Sequence, residues 1–450
     1  MRLTLAVLAA LLLFAAPARA AGPEVGIADD RILLNGGPDA DKAVKDWAAL
    51  GIQTVRIYAL WSRIAPNSPS GSNDWSQLDR AVDRVVGAGM KPILTVTGPG
   101  PLWVSRRAER GEPRYDPDPK LFGTFAGEVA ARYGDRVDRY IIWNEPNLGG
   151  WLRPQGSCSR TCTPVAPHLY RGLVQAAYPA IHAADPNAQV LIGAMSSRGS
   201  TLHSENSNER PMFFLRALGC VDTHMRKISS GRCRNYKAIP ADGFAFHPHG
   251  VLAAPEKAFP NADDVSIAEL PVLTNALDKL RSLGRIKSSK KLNVYIDEFG
   301  YQTNPPDVFT GVSLTTQDQW LQRAAYQAWR NPRVKLFSQY LWKDEPRSLN
   351  DEFGGWQSGL LFADGDAKPA LKHFSTPFAI DAARHRLWGQ VRTRDVSSVK
   401  VQRRTGSGSW RTIATRKTDS EGYWSWSTRL TSASYRFLAD GATSATLRHR

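Results

Sequence analysis

Residues 139–146 read RYIIWNEP, an apolar run that ends abruptly on an asparagine and a glutamate, Glu145, with a proline directly after them. A second run, LNVYIDEFG at 292–300, ends in the same way on Asp297 and Glu298. Strands that are apolar along their whole length are typical of a parallel sheet covered on both faces. In α/β barrels, polar residues at the carboxyl ends of such strands line the active site. The two stretches therefore predict a buried parallel sheet with an acidic site at its strand ends.

Six further runs of the same kind occur outside these two. Residues with the spacing of one helix face lie between them, as at Leu78, Ala81, Val82, Val85 and Gly89. Eight strands that alternate with helices from about residue 25 to 375 predict an α/β fold, a (β/α)8 TIM barrel. A doubly wound open sheet is the alternative, but no glycine-rich phosphate turn follows an early strand. The six runs are EVGI (24–27), TVRIYAL (54–60), KPILTVTG (91–98), QVLIGAM (189–195), GFAFHPHG (243–250) and LFSQYLW (336–342).

The first twenty residues, MRLTLAVLAALLLFAAPARA, differ in character from the rest of the chain. A basic residue, an apolar stretch and a small-residue ending are typical of a cleaved signal peptide, so we assign residues 1–20 to a leader. No later run approaches the ~18 apolar residues that a membrane span needs. The sequence therefore predicts a secreted, extracellular protein with no membrane span, whose barrel domain occupies residues 21–375.

Residues 376–450 change to short alternating segments such as SSVKVQRR and GYWSWSTRL, separated by GSGS and DSEG. This pattern predicts a small C-terminal all-β, sandwich-like domain. It is either a module that packs against the barrel or a carbohydrate-binding or wall-anchoring module. Residues 381–450 hold fourteen Lys or Arg against five Asp or Glu, although the net charge of the whole chain is only +16. Such regional basicity is compatible with an anionic cell-wall polymer as partner, and equally with an arginine-rich composition that has no partner.

The four cysteines fall into two local pairs, Cys158 with Cys162 and Cys220 with Cys233. An even number in an exported chain favours two disulfides, each of which closes one loop. A four-cysteine zinc site is the alternative, but only one of the spacings resembles a metal-binding knuckle. We expect two disulfides and no metal.

The two strand-end motifs, WNEPN and IDEFG, resemble the acid/base and nucleophile motifs of clan A retaining glycoside hydrolases, which include the cellulase-like family 5 and the xylosidase-like family 39. WNEPN followed by LGGW is especially similar to family 39, and the resemblance covers roughly residues 24–375. It implies a retaining hydrolase of O-glycosidic bonds in a polysaccharide or oligosaccharide, with Glu145 as acid/base and Glu298 as nucleophile. It also implies a carbohydrate substrate, no cofactor and no nucleic acid partner.

The resemblance implies further roles for residues at the strand ends. Arg56 would favour the charged form of Glu298, Asn144 would bind the sugar 2-hydroxyl, His247 would lie beside the nucleophile, and Trp342 would form an aromatic floor under the reacting sugar. Tyr58 and Tyr301 are candidate subsite aromatics. In a retaining mechanism the carboxyl groups of Glu145 and Glu298 are expected about 5–5.5 Å apart.

Asp297 departs from the family pattern, since relatives often have Thr or Gly at this position, and Asp344 and Glu345 follow the last strand. An acidic cleft favours a neutral glycan over a uronic acid. Two alternatives to the hydrolase stay open: a transglycosylase with the same catalytic residues, and a non-catalytic carbohydrate-binding barrel. The presence of both glutamates favours an enzyme.

Overall fold

The structure is a computed structural model that describes residues 22–159, 161–346, 355–393 and 396–450. The leader predicted at residues 1–20 lies outside the described residues. No helix in the described part of the chain is long and apolar enough to cross a membrane.

Eight parallel strands close into a barrel. Each strand pairs with the strands before and after it in the sequence, and β8 pairs with β1 along five residues to close the ring. This confirms the predicted TIM barrel, and all eight predicted runs form its strands. The strands are β1 Glu24–Ala28, β2 Thr54–Leu60, β3 Lys91–Thr97, β4 Arg139–Ile142, β5 Gln189–Ser196, β6 Gly243–His247, β7 Asn293–Phe299 and β8 Val334–Tyr340.

The apolar character of the strands is explained by burial on both faces. In β3 only the first residue, Lys91, is exposed. One set of side chains forms a small buried cluster of its own inside the ring of strands, while the other set joins the main core under the helices. The inner cluster consists of Ile93, Ile141, Leu191, Ala194, Ala245, Tyr295 and Leu336.

Helices connect the strands and cover the barrel. The helix Ser76–Gly87 buries Leu78, Ala81, Val82 and Val85, as their spacing predicted. Gly89, the fifth residue of that spacing, lies beyond the end of the helix and is exposed. The other α-helices are Asp30–Asn35, Gly37–Ala49, Trp61–Ile64, Pro119–Tyr133, Ala166–Ala184, Pro211–Leu218, Leu270–Ser282, Leu314–Arg330 and Pro369–Phe374.

The C-terminal residues form two antiparallel sheets, which confirms the all-β prediction for this part of the chain. One sheet contains Phe378–Asp381, Arg386–Gln390 and Tyr423–Ser427, and the other contains Ser398–Arg404, Arg411–Lys417, Ala433–Ala439, Ala442–Thr443 and Leu447–His449. Leu387, Val401 and Phe437 belong to the core between them. Trp388 belongs to the barrel core instead, with its ring 5.8 Å from that of Trp329. The first sheet is thereby packed against the barrel.

All four cysteines form the two predicted disulfides. Cys158–Cys162 closes a hairpin of two short strands, Gly156–Cys158 and Cys162–Pro164. Cys220–Cys233 closes the segment that follows the helix Pro211–Leu218. Because every cysteine is paired, the four-cysteine zinc alternative is wrong.

Candidate active site

Glu145 lies three residues beyond the end of β4, on backbone that stays tied to the barrel. The Trp143 N–H donates to the Val96 carbonyl of β3 at 2.8 Å, and the Glu145 N–H donates to the Ala194 carbonyl of β5 at 2.9 Å. Trp143 and Glu145 have φ values of 65° and 36°, in the left-handed region that side chains other than glycine seldom adopt. Such unfavourable backbone is retained where surrounding contacts fix it, typically at functional sites. It carries the Glu145 carboxylate to His247 at the end of β6.

Glu298, the sixth residue of β7, is surrounded by groups that donate to its carboxylate. Arg56 Nη2 from β2 lies 2.5 Å from Oε1, and the Tyr58 hydroxyl lies 3.4 Å from the same oxygen. On the other oxygen, His249 Nε2 lies at 3.4 Å and His247 Nδ1 at 3.6 Å. The structure thus brings side chains from β2, β6 and the residues after β6 to one carboxylate.

These neighbours set the ionisation of Glu298. Burial acts to raise its pKa, but the charges of His247 and Arg56 and the hydrogen bond from His249 outweigh burial and lower the pKa to about 2. Glu298 is therefore a carboxylate over the whole physiological pH range. That is the state in which a carboxyl group acts as a nucleophile.

His247 is completely buried and contacts a carboxylate with each ring nitrogen. Nδ1 lies 3.1 Å from Glu145 Oε1, and Nε2 lies 3.1 Å from Asp297 Oδ2. Burial acts to lower the pKa of His247, but the charges of Glu298 and Asp297 and its hydrogen bonds raise it well above 6.5. The ring is accordingly an imidazolium, and both nitrogens donate.

The same ring joins the two glutamates. His247 Nδ1 is 3.1 Å from Glu145 Oε1 and 3.6 Å from Glu298 Oε2. The two oxygens are no farther apart than the sum of these distances. That limit lies at the low end of the ~6.5–9.5 Å carboxyl separation of inverting glycosidases, so it excludes the wider inverting separations.

His249 contacts Glu298 through Nε2, which lies 3.4 Å from Oε2. The other ring nitrogen, Nδ1, faces Gly300, whose backbone N–H lies 3.2 Å away. The ring also stacks on Phe299 and on Trp356, with centroids 6.4 and 5.7 Å away.

Arg56 is fully buried and also contacts Asp30, whose Oδ2 lies 3.4 Å from Nη2. Burial raises the pKa of Asp30 to about 6 against the opposing charge of Arg56. Asp30 also accepts from the Tyr58 backbone N–H at 2.5 Å, and the guanidinium lies over the Tyr58 ring at 4.3 Å. Asp30 was not predicted from the sequence, although Asp29 and Asp30 directly follow the apolar strand β1 and so carry the same strand-end signal as Glu145 and Glu298.

The remaining predicted site residues are placed differently from one another. Asn144 is buried beside Glu145, and its Oδ1 has no hydrogen-bond partner among the described residues. Trp342 is almost completely buried, and its backbone N–H donates to Asp29 at 3.2 Å.

Tyr301 is not brought to the site as predicted. Its side chain is fully buried, its hydroxyl donates to the Ala253 carbonyl at 3.0 Å, and its ring packs on Trp320. The apolar packing of its ring accounts for this, so Tyr301 has no surface for a substrate.

Two aromatic residues that the sequence interpretation missed lie at the site. Tyr340 ends β8 with its ring 5.7 Å from that of His249, and Trp356 stacks on His249 with 45% of its surface exposed. Tyr340 carried a usable signal, since it is a polar residue at the end of an apolar strand. Trp356 lies in the loop GGWQSG, whose sequence contains no such signal.

Three side chains of ligand type lie together at this site. The ligand atoms of His247, His249 and Glu298 lie within 4.8 Å of one another. Each of the three also has a hydrogen-bond partner outside this group: His247 contacts Asp297, His249 contacts Gly300, and Glu298 contacts Arg56. The expected absence of a metal stays a prediction.

Comparisons with known proteins identify a family for the barrel. A family model described as Cellulase (glycosyl hydrolase family 5) matches residues 33–342, which include both glutamates. A family 39 glycoside hydrolase from Bacteroides cellulosilyticus superposes with a TM-score of 0.55 at 16% identity, over 93% of this chain and 81% of that one. A GH5_18 protein from Streptomyces cattleya in complex with GlcNAc has a TM-score of 0.51 at 17% identity, over 78% of each chain. A GH5_18 protein from Bifidobacterium longum in complex with Manb1-4GlcNAc has a TM-score of 0.52 at 11% identity, over 78% of this chain and 77% of that one. At these identities the structural similarity shows the fold alone.

Proposed function

The chain belongs to glycosyl hydrolase family 5, and on this basis we propose that it is a retaining glycosidase in which Glu298 is the nucleophile and Glu145 the acid/base. The observation that supports these roles best is the contrast between the two carboxylates. Glu298 receives contacts from Arg56, Tyr58, His247 and His249, whereas Glu145 contacts one histidine nitrogen. The first environment favours a permanent anion, as a nucleophile requires.

The reaction has two steps. Glu298 attacks the anomeric carbon while Glu145 gives a proton to the leaving oxygen, and a glycosyl ester forms on Glu298. Glu145, now a carboxylate, then takes a proton from a water molecule that attacks the same carbon and releases Glu298. His247 remains bonded to Glu145 and Asp297 and holds Glu145 in place for both proton transfers.

The surroundings of the glutamates support a neutral glycan as substrate. The unpartnered Asn144 Oδ1 is an acceptor for a sugar hydroxyl, and the half-exposed ring of Trp356 offers a face for a sugar ring. Tyr58 and Trp151, with ring centroids 5.7 Å apart, form a second aromatic surface beside Glu298. Asp30, Glu145, Asp297 and Glu298 lie close together, and their negative charges disfavour a uronic acid at this position.

The stereochemistry of the product tests the retaining assignment. The purified protein is screened against aryl glycosides, and the first-formed anomer is identified by proton NMR before mutarotation. We expect the product to have the configuration of the substrate, because two displacements at one carbon restore it. A 2-fluoro glycoside with a good leaving group should label Glu298, as peptide mapping would show, and should fail to label the Glu298→Ala variant. An inverted product would contradict the mechanism.

Export of the protein is a further part of this proposal. The leader-like residues 1–20 and the two disulfides support secretion into an oxidising compartment. We expect protein from the culture supernatant to begin after residue 20 and to contain no free thiol. Intact residues 1–20 on extracellular protein would contradict the leader assignment.

A further inference from the structure

The second C-terminal sheet has one face that belongs to no core. In the strand Ser398–Arg404 the side chains of Val399 and Val401 are buried, together with Tyr435 and Phe437 of the neighbouring strand. Since side chains alternate along a strand, the residues between them point to the other face. That face, which we call the arginine–tryptophan face, contains Lys400, Gln402, Arg404, Trp410, Arg436 and Arg448.

The arginines of this face are fixed in position. Arg404 and Arg436 both lie over the indole of Trp410, with guanidinium carbons 4.8 and 4.2 Å from the ring centroid. Arg436 Nε also donates to Gln402 Oε1 of the adjacent strand at 2.9 Å. Stacking and this hydrogen bond reduce the freedom that two arginines would lose on binding a ligand.

A third arginine extends the face across the sheet. Ser434 pairs with Arg404 on one side and with Arg448 on the other, so the two arginines stand in one row on three adjacent strands. Neighbouring strands are about 4.8 Å apart, which places the two Cα atoms about 10 Å apart. The positive groups are therefore spaced along a line.

The positive charge of this region is not neutralised within the described protein. Residues 396–450 contain ten Lys or Arg and three Asp or Glu. None of these basic side chains forms an ion pair with another described residue. Of the acids, Glu421 accepts from Gln53 at 2.5 Å, and Asp440 lies in the hairpin at the end of the strand far from Arg404. The Nη atoms of Arg404 and Arg436 also have no acceptor among the described residues.

We propose that the arginine–tryptophan face binds an anionic polysaccharide, whose acidic groups pair with Arg404, Arg436 and Arg448. Guanidinium groups that are held flat present paired N–H donors, which match the two oxygens of a carboxylate or a sulfate. A polysaccharide fits better than a nucleic acid, because single-stranded bases need an open aromatic face and that of Trp410 is covered by guanidinium groups. The proposal rests on the glycan-directed function above, but the face is an attachment site and the neutral glycan of the cleft is a different ligand.

Binding of the full-length protein to polygalacturonate tests this proposal. Fully methyl-esterified pectin is the uncharged counterpart, heparin is the sulfate-bearing polymer, and a single-stranded oligonucleotide is the nucleic acid. Arg404→Gln/Arg436→Gln removes two charges from the face. Lys45→Gln/Arg80→Gln removes two exposed charges from barrel helices and is the matched control.

We expect the face variant to bind polygalacturonate or heparin about tenfold more weakly than the wild type, because a charge-assisted pair is lost. The control variant should bind about as tightly as the wild type. Added salt should weaken binding, and the methyl ester should not bind. Arg404→Lys/Arg436→Lys keeps the charge but loses the planar donors, and it should bind more weakly than the wild type at an unchanged melting temperature.

Equal losses in the face variant and the control would show an effect of net charge and overturn the site. Binding of the lysine variant at wild-type strength would overturn the role of the stacked guanidinium groups. Tighter binding of the oligonucleotide, lost in the same variant, would overturn the polysaccharide assignment. Hydrolysis of a neutral aryl glycoside is measured in parallel and should be the same in all variants. Failure of the proposed hydrolase would thus appear there and leave the binding result intact.

Discussion

His247 Nε2 lies 3.1 Å from Asp297 Oδ2, and both side chains are fully buried below the two glutamates of the site. Asp297 directly precedes Glu298 in β7, so adjacent residues of one strand contact the same histidine from two directions. A buried imidazolium needs compensating negative charge. Asp297 provides part of that charge without taking part in bond formation, and we infer that it is a positioning residue.

Replacement of Asp297 by Asn should lower the pKa of His247, because one of the two charges that raise it is removed. The raised pKa means that the folded protein binds this proton more tightly than the unfolded chain does, which stabilises the folded protein. This stabilisation is complete below pH 6.5 and is lost as the pH rises through the raised pKa of His247. In the variant, the alkaline limb of the kcat/KM profile should move to lower pH. The rate at the optimum should fall roughly tenfold, the value of one charge-assisted hydrogen bond.

Asp242→Asn is the matched control for this measurement. Asp242 contacts His182 Nε2 at the same distance, 3.1 Å, but it precedes β6 and so lies at the opposite end of the barrel from His247. Its replacement should reduce stability and leave the pH profile of kcat/KM in place. An unshifted alkaline limb in Asp297→Asn would contradict the positioning role.

His249→Phe should raise the pKa of Glu298, since phenylalanine keeps a ring between Phe299 and Trp356 but removes the hydrogen bond to the carboxylate. The pKa of Glu298 is lowered to about 2, and its ionised form therefore stabilises the folded protein above pH 4.5. This stabilisation is lost as the pH falls through about 2. The acid limb of kcat/KM should therefore move to higher pH in the variant. Trp356→Leu, which alters only the stacking, should raise KM and leave the acid limb where it is; a shift in both variants would assign the effect to packing.

Periodicity was sufficient to predict the barrel, because each strand is a short apolar run and each helix has one apolar face. The same rule located Glu145 and Glu298, since a carboxylate at the end of a buried strand has few structural explanations. It failed for Tyr301, which follows β7 but turns into the core. Asp30 was overlooked although the same rule covers it, since it follows β1 by two residues. The rule failed for Trp356, which reaches the site through loop geometry and packing. Contacts of that kind depend on the whole fold and leave no pattern in the local sequence.

Lys368 and Asp344 form a buried ion pair that fixes the loop carrying Trp356. Lys368 Nζ donates to Asp344 Oδ1 and Thr303 Oγ1, both at 2.8 Å, and to the Gln357 carbonyl at 2.9 Å, and both charged side chains are fully buried. Lys368→Met should lower the free energy of unfolding by about 3–5 kcal/mol, because an unpaired charge is left inside the protein. Guanidinium chloride denaturation measures this change.

Lys42→Met is the comparison for the ion pair, because Lys42 and Asp46 form an exposed helical pair at 2.6 Å. Its loss should change the free energy of unfolding by no more than about 0.5 kcal/mol. Lys368→Met/Asp344→Leu removes both buried charges and should recover most of the lost stability. A double variant as unstable as Lys368→Met alone would show that packing, and not the unpaired carboxylate, causes the loss.

Separate alanine variants distinguish the roles of the two glutamates. If Glu298 forms the glycosyl bond, Glu298→Ala removes the route to the intermediate, and the rate should fall by several orders of magnitude for every substrate. Glu145→Ala should be equally damaging for natural glycosides, whose poor leaving groups need a proton, but should leave formation of the intermediate from a dinitrophenyl glycoside nearly intact. The intermediate should then accumulate, because no base activates the water that would cleave it.

Azide completes this test, because it attacks the glycosyl ester without the help of a general base. It should accelerate turnover of a dinitrophenyl glycoside by Glu145→Ala and yield a glycosyl azide of retained configuration, since Arg56 and His249 still hold Glu298 for its attack. Glu209→Ala is a control, because this carboxyl group is fully buried and has no hydrogen-bond partner among the described residues, so its loss should not create azide dependence. A retained azide product from Glu298→Ala would reverse the two roles. Undiminished hydrolysis of natural glycosides by both active-site variants would place the reaction elsewhere in the protein.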